Sequence, residues 1–467
     1  IEARLAALSL RREQGDSLAE GINLRWLAHL YRFYTGEPAS LSYARAAVEV
    51  LEKLPPQREL AFAYSVLAWT STLGEAPAVA VTWGDRAVVL AKQLDDAEAL
   101  AAALNASSSA RLRTHNDPVA WAELKQGLAL ALENRFEELA ARAFMSLMTL
   151  ALVHRQLLAA LDYAEQGIAF CKEHDLDLYT ARLYVRRAFA YMELGRWDEV
   201  ANDLAQLDEA STVTPLERET SRFLRALLNL RRGQPDVASA RRQLRESVPQ
   251  LPPYSWYVLP ANACAEAAWL QGDSGAVELT AGPALAAAIT LGEPWRLGEL
   301  AAWLQRVGRL PCGFDHPVAQ PYALELGGDW RAAAAEWNRS SCPYQQGLAL
   351  LAGDEAGLRE ALQIFDTLGA APAASITRQR LHALGAHDVQ RGPQASTRTD
   401  PHGLTRRERE VLDLLVQNLS NQAIARKLHR SERTVEHHVS ALLGKLGAAS
   451  RAEVIELVRR PASAPKK

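Results

Sequence analysis

The sequence predicts an all-α chain: a long helical-repeat solenoid followed by a small four-helix head. Three observations support this. Turn-forming residues recur at a nearly constant interval as far as Gly272, and an aromatic-plus-small signature recurs with them. Residues 404–452, LTRREREVLDLLVQNLSNQAIARKLHRSERTVEHHVSALLGKLGAASRA, then present four hydroxyl residues that each open an amphipathic run.

The repeats come first. Turn marks fall at Gly36, Gly74, Asn116, Gly195, Gly233 and Gly272. Their interval is roughly 40 residues, a period that signals a solenoid. Between Asn116 and Gly195 the interval doubles and hides one more turn near Gln156. Tyr43-Ala44 to Ala47, Trp83-Gly84 to Ala87 and Tyr163-Ala164 to Gly167 share one pattern, and their starts keep the same interval, once single and once doubled. Small residues three apart lie on one helix face and let a neighbour approach, while the aromatic fills the gap between layers. Helix pairs at this period resemble tetratricopeptide solenoids, whose usual period of ~34 residues is slightly shorter. Each pair buries its apolar face only against the next, so stacking gives a superhelix with a concave inner wall suited to a peptide, a protein or a small ligand.

From Glu293 the regularity weakens. Trp295, Trp303, Trp330 and Trp337 crowd into this part, and aromatics at helical spacing point to interhelix core rather than a ligand box. Residues 391–403, RGPQASTRTDPHG, make a Pro/Gly/polar linker that tethers a head without fixing its orientation. The expected layout is repeats over 1–390, linker over 391–403, head over 404–460 and a flexible tail over 461–467.

In the head, Thr405, Ser420, Ser431 and Ser450 stand at the helix starts. Thr405 with Glu408, and Ser450 with Glu453, have capping-box spacing, in which side chains satisfy orphan amide donors. Turns at Asn418–Leu419 and His429–Arg430 join the first three helices. A brief helix, a tight turn and a second helix form the helix-turn-helix unit, whose second helix enters the DNA major groove. On a wheel of about 100° per residue, Val435, Val439, Leu442 and Leu446 make a stripe to bury against Leu412, Leu415, Ile424 and Leu428. The opposite side carries Arg433, His437, Ser440, Ala441 and Gly444, small or polar as a surface lying close to base edges requires.

This stretch closely resembles the LuxR-type (GerE-type) helix-turn-helix of bacterial transcription regulators. The matching residues are Leu404-Thr405, Arg407-Glu408, Glu410-Val411-Leu412, Leu419-Ser420-Asn421, Ile424-Ala425, Leu428, Ser431, Thr434-Val435, His438 and Lys445-Leu446-Gly447. The resemblance implies base reading early in the third helix, by Arg433, Glu436, His437 and Ser440. It implies phosphate contacts from Ser420, Asn421, Arg433, Thr434 and Lys445. Many members carry Lys where this chain has Glu436, and an acid there favours a cytosine amino group over guanine. The resemblance also implies double-stranded DNA as partner, an activator rather than a repressor, and a homodimer on DNA. RNA polymerase and a protein or small-molecule inducer in the solenoid groove are further candidate partners. The segment from Glu293 is similar to the region ahead of the head in large LuxR-type regulators with an N-terminal ATPase. No G-x-x-x-x-G-K-[ST] phosphate loop occurs, and the chain begins with Ile. It is expected to be either the C-terminal part of a longer regulator or a variant without the ATPase.

Charge supports the division. From residue 401 there are 13 Lys/Arg against 7 Asp/Glu, leaving 39 against 48 for the first 400 residues. A basic head on an acidic body fits phosphate neutralisation by the head alone.

Other classes are disfavoured. Cys171, Cys264, Cys312 and Cys342 are scattered without a CxxC pair, which points to buried thiols in a reducing compartment rather than a metal site. His437 and His438 are adjacent, so they point about 100° apart and form no metal pair. Asp315-His316 has no nucleophile motif nearby. No catalysis, cofactor or metal is expected. No apolar run has the ~18 residues of a membrane helix, and the N-terminus lacks a secretory pattern, so a cytoplasmic protein is expected. The rival to DNA binding is a repeat-protein scaffold or adaptor whose head contacts other proteins.

Overall fold

The computed structural model describes residues 1–35, 39–72, 77–113, 115–209, 212–234, 236–247, 260–386, 404, 406–446, 448, 450–451 and 453–455. Gly36, Gly74, Thr405, the linker 391–403 and the tail 461–467 lie outside them. The described residues contain helices and no strand. The chain divides into two compact units, Ile1–Ala386 and His387–Lys467.

The first unit opens with α1 (Glu2–Glu13), α2 (Ser17–Leu30), α3 (Ala39–Leu51), α4 (Arg58–Ser71), α5 (Pro77–Gln93), α6 (Ala97–Leu112) and α7 (Pro118–Glu133). It continues with α8 (Glu137–Val153), α9 (Leu157–Glu173), α10 (Asp177–Glu193), α11 (Trp197–Glu209), α12 (Pro215–Arg232), α13 (Val237–Ser247) and α14 (Pro260–Trp269). The last seven are α15 (Ser274–Leu291), α16 (Pro294–Arg306), α17 (Gln320–Leu326), α18 (Trp330–Arg339), α19 (Pro343–Leu350), α20 (Glu355–Leu368) and α21 (Ala371–Ala383). Shorter helices thus follow Glu293, where the sequence loses its regularity.

From α2 to α12 the even-numbered helices pack on one another in succession, and α3, α5, α7 and α9 each bridge two of them. The even helices are buried almost all round, as inner-layer helices must be. Their starts recur at the interval of the turn marks, and the turn hidden in the doubled interval is at Arg155, φ 55°. Gly84 of α5 shows why small residues recur: a Cβ there would lie 2.6 Å from the Ser107 Cα of α6. Trp83 stacks on Tyr64 with centroids 5.6 Å apart. Aspartates cap several helices, Asp16 and Asp96 each accepting from an amide three residues on at 3.0 Å and so satisfying an orphan donor.

Two expectations need correction. Pairs were expected to bury their faces only against the next pair, but α19 packs on α10 and α21 on α12. Where the chain returns, the Tyr344 ring of α19 lies 4.3 Å from the Arg231 guanidinium of α12, and its hydroxyl donates to Glu266 Oε1 at 2.8 Å. Buried charges need counter-charges, and Glu293, just ahead of α16, supplies one to Arg113 at 2.6 Å. The thiols were expected to be buried, yet only Cys171 and Cys342 are; Cys264 is half-buried and Cys312 exposed, the latter beside Gly313 in the loop between α16 and α17. All four are free. Of the four tryptophans expected in the core, Trp303 and Trp337 are fully buried, while Trp295 and Trp330 are half-buried. Trp295 lies beside Trp337, centroids 6.0 Å apart.

Candidate nucleic-acid interface

The second unit contains α22 (Arg406–Val416), α23 (Asn421–Lys427) and α24 (Glu432–Leu446), with further helical residues at Arg451 and 453–455. Its core joins Leu404, Val411, Leu412, Leu415, Ile424, Val435, Leu442 and Val454. The α24 stripe expected to be buried is the face that packs here. Val435 and Leu442 sit deepest, while Val439, Leu446 and Leu428 are half-buried at its edge.

Both interhelix turns use the left-handed backbone, Asn418 at φ 62° and His429 at φ 52°. The Leu419 amide donates to Leu414 O at 3.4 Å and the Arg430 amide to Ala425 O at 2.9 Å. These bonds, each spanning five positions, close each helix and re-aim the chain at once. Hydroxyl caps then start the next helices. Ser420 Oγ accepts from the Ala423 amide at 3.2 Å, Ser431 Oγ from the Thr434 amide at 3.1 Å, and Ser450 Oγ from the Glu453 amide at 3.3 Å.

Arg433, Glu436, His437 and Ser440 are all exposed on α24, and steps of three and four put them on one face, opposite buried Val435 and Leu442. The residues assigned to phosphate are placed less uniformly. Ser420 is exposed but serves as a cap, and Thr434 Oγ1 lies 2.7 Å from Ser431 Oγ. Asn421 Oδ1 accepts from Arg451 Nη1 at 3.1 Å, while Arg451 Nη2 donates to Leu419 O. Lys445 Nζ donates to Glu408 Oε2 at 2.7 Å. Asn421 and Lys445 therefore already have partners inside the head.

Sequence reasoning missed Arg451 as a clamp on the start of α23 and Glu408 as a buried carboxylate. It also passed over Arg426, Lys427 and Arg430, exposed at the end of α23 and in its turn. Their clustering in ARKLHR was the available sign. Among the described residues no group of three or more His, Cys, Asp or Glu side chains is arranged to hold a metal ion. No described helix is long and apolar enough to cross a membrane.

The GerE profile, described as bacterial regulatory proteins, luxR family, matches residues 402–458. Over 57 residues the chain is 49% identical to the spore germination protein GerE of Bacillus subtilis, covering 12% of this chain and 77% of GerE. It is 44% identical over 63 residues to the nitrate/nitrite response regulator protein NarL of Escherichia coli, covering 14% of this chain and 29% of NarL. A putative HTH-type transcriptional regulator of Mycobacterium tuberculosis is 35% identical over 108 residues, 23% of this chain and 12% of that one. The match thus spans less than a third of these two longer regulators. A solved circular tandem repeat protein covers 82% of this chain and 87% of its own at 15% identity, with a TM-score of 0.18 that is too low to bear on the fold. With 77% of GerE covered at 49% identity and residues 402–458 matching the family profile, the chain belongs to the luxR family of bacterial regulatory proteins.

Proposed function

We propose that this chain is a sequence-specific DNA-binding transcription regulator whose α24 enters the major groove. The observation that carries this is the single exposed face of Arg433, Glu436, His437 and Ser440 on the second helix of a closed helix-turn-helix. Arg and His donate to guanine acceptors, the Glu436 carboxylate accepts from a cytosine amine, and Ser440 serves either base. Ser420, Asn421, Arg433, Thr434 and Lys445 hold the backbone, joined by exposed Arg426, Lys427 and Arg430. Phosphate contacts set register and affinity, whereas base edges set sequence. One of the longer relatives is named a putative HTH-type transcriptional regulator and the other a response regulator, which supports the same reading.

In this reading the head is the output module behind the linker 391–403. The tetratricopeptide-like region over 1–390 receives a protein or small-molecule signal. A homodimer binds paired half-sites and activates transcription through RNA polymerase. Selection of bound sites from a random duplex pool, using the full chain at low salt, tests it. One enriched motif, relaxed at one or two positions by His437→Ala, is the expected result. No enrichment and no retention on random duplex would leave the adaptor reading instead.

A further inference from the structure

Two charge clusters lie in the inner layer of the repeat region, and they are built differently. In the first, Arg231 lies 3.0 Å from Glu266 and Arg155 3.2 Å from Glu193, so guanidinium and carboxylate are matched. Around Arg32 the match fails. Arg113 and Arg296 share Glu293 at 2.6 and 3.1 Å, Arg182 has Glu217 at 3.0 Å and Arg142 has Glu138 at 2.8 Å. Arg32 has no carboxylate partner among the described residues. Its Nε is sealed from water without an acceptor, and its guanidinium carbon lies 4.9 Å from the Trp69 ring centroid. Burial pushes it down to about 9, and the charges of Arg182, Arg113 and Arg186 add to the shift. It therefore keeps its proton at neutral pH.

Arg32 sits in a π-helical turn, residues 31–35, at the end of α2, an irregularity that recurs at functional sites. A sheltered cation among like charges is stable only when an anion joins it. The planar guanidinium fork suits the paired oxygens of phosphate or carboxylate.

We infer that Arg32, with Arg113, Arg182 and Arg186, forms a binding site for a small multivalent oxyanion, a phosphate ester or a polycarboxylate, which supplies the missing counter-charge. Its regulatory meaning rests on the proposed reading of the repeat region as the signal-receiving part; the binding itself does not.

Thermal unfolding and titration calorimetry of the full chain test the site. Inorganic phosphate and citrate are the probes, and chloride at matched ionic strength is the control. A saturable rise in melting temperature with phosphate alone indicates the phosphate ester class, and with citrate alone the polycarboxylate class. Arg32→Gln should weaken that binding about ten- to a hundredfold, the loss of a charged hydrogen-bond donor. Because Arg32→Gln also loses the contact with Trp69, each protein's rise in melting temperature is read against its own value in chloride. Arg32→Lys keeps the charge but not the fork and should bind with intermediate affinity. The inference is overturned if neither anion exceeds chloride, or if Arg32→Gln titrates like the wild type. Should Arg32→Gln not fold, Arg32→Lys binding with wild-type affinity overturns it equally. DNA binding by the same preparations separates the two readings. Intact DNA binding without an anion response sinks the site alone, whereas an anion response without DNA binding supports the site and sinks the regulator reading.

Discussion

Lys445 Nζ donates to Glu408 Oε2 across 2.7 Å, tying the C-terminal end of α24 to the first turn of α22. The Glu408 side chain is 8% exposed and that of Lys445 37% exposed, so the ammonium reaches inward to a sheltered carboxylate. A lysine whose position suits a phosphate thus also fixes how the recognition helix is held.

Lys445→Ala should therefore act on stability as well as on binding. A hydrogen bond to a charged group contributes about 1.5–3 kcal/mol, and exposure of the lysine reduces this to about 1 kcal/mol. Denaturant unfolding of the head should show that loss. Affinity should fall alike for all DNA sequences, with the salt slope reduced by less than one charge. A full unit lost from the slope at unchanged stability would assign Lys445 to phosphate alone.

In the proposed reading Glu436 sets specificity by a different route. A carboxylate there accepts from a cytosine amine, whereas lysine donates to the guanine acceptors. Glu436→Lys should move the selected motif from cytosine to guanine at one position, and His437→Ala should relax a neighbouring one by about 1–3 kcal/mol. Site selection with each variant reads both effects. An unchanged motif in Glu436→Lys would remove that residue from the reading surface.

Much of the head was legible because each part has a local sign. Ser420 and Ser431 cap where a hydroxyl precedes an apolar run, Asn418 takes the left-handed turn, and Val435 with Leu442 buries the stripe. The Arg451 clamp was not legible, since a long side chain can pair with anything within several ångströms. In the repeats, the turns marked by Gly195, Gly233 and Gly272 are left-handed, at φ 72°, 71° and 73°. The alternate turns at Asp95, Arg135 and Asp175 keep a constant interval of their own and are also left-handed, at φ 52°, 59° and 55°. Asp and Arg do not advertise such a backbone as glycine does. The return of α19 and α21 onto α10 and α12 has no periodic signature, because a contact such as Arg231 on Tyr344 joins residues distant in sequence.

Two glycines should respond oppositely to the same change. Gly84→Ala places a Cβ against the Ser107 backbone, which cannot move aside as a side chain can, and overpacking of this kind costs about 1–3 kcal/mol. Gly444 lies within α24 with nothing within 4 Å of an added Cβ. Gly444→Ala should stabilise by up to about 1 kcal/mol, through helix propensity alone. Thermal unfolding of the two variants should give shifts of opposite sign. A Gly84→Ala protein as stable as the wild type would show that α5 and α6 have slack the structure does not contain.

Glu299 of α16 should make the stability of the repeat region depend on pH. Burial pushes its carboxyl from the ordinary 4.5 to about 7; Arg155 and Arg231 oppose the shift, and Glu193 and Glu266 reinforce it. The folded state then binds this proton more tightly than the unfolded state does. The contribution is complete below pH 4.5 and is lost as the pH rises to about 7, where folding must hold a charge among other carboxylates. Glu299→Gln, which cannot ionise, should match the wild type in acid and exceed its melting temperature above the window. Other titrating groups are common to both proteins and cancel in the difference. A difference that stays constant across the window would mean that Glu299 titrates as an ordinary carboxylate.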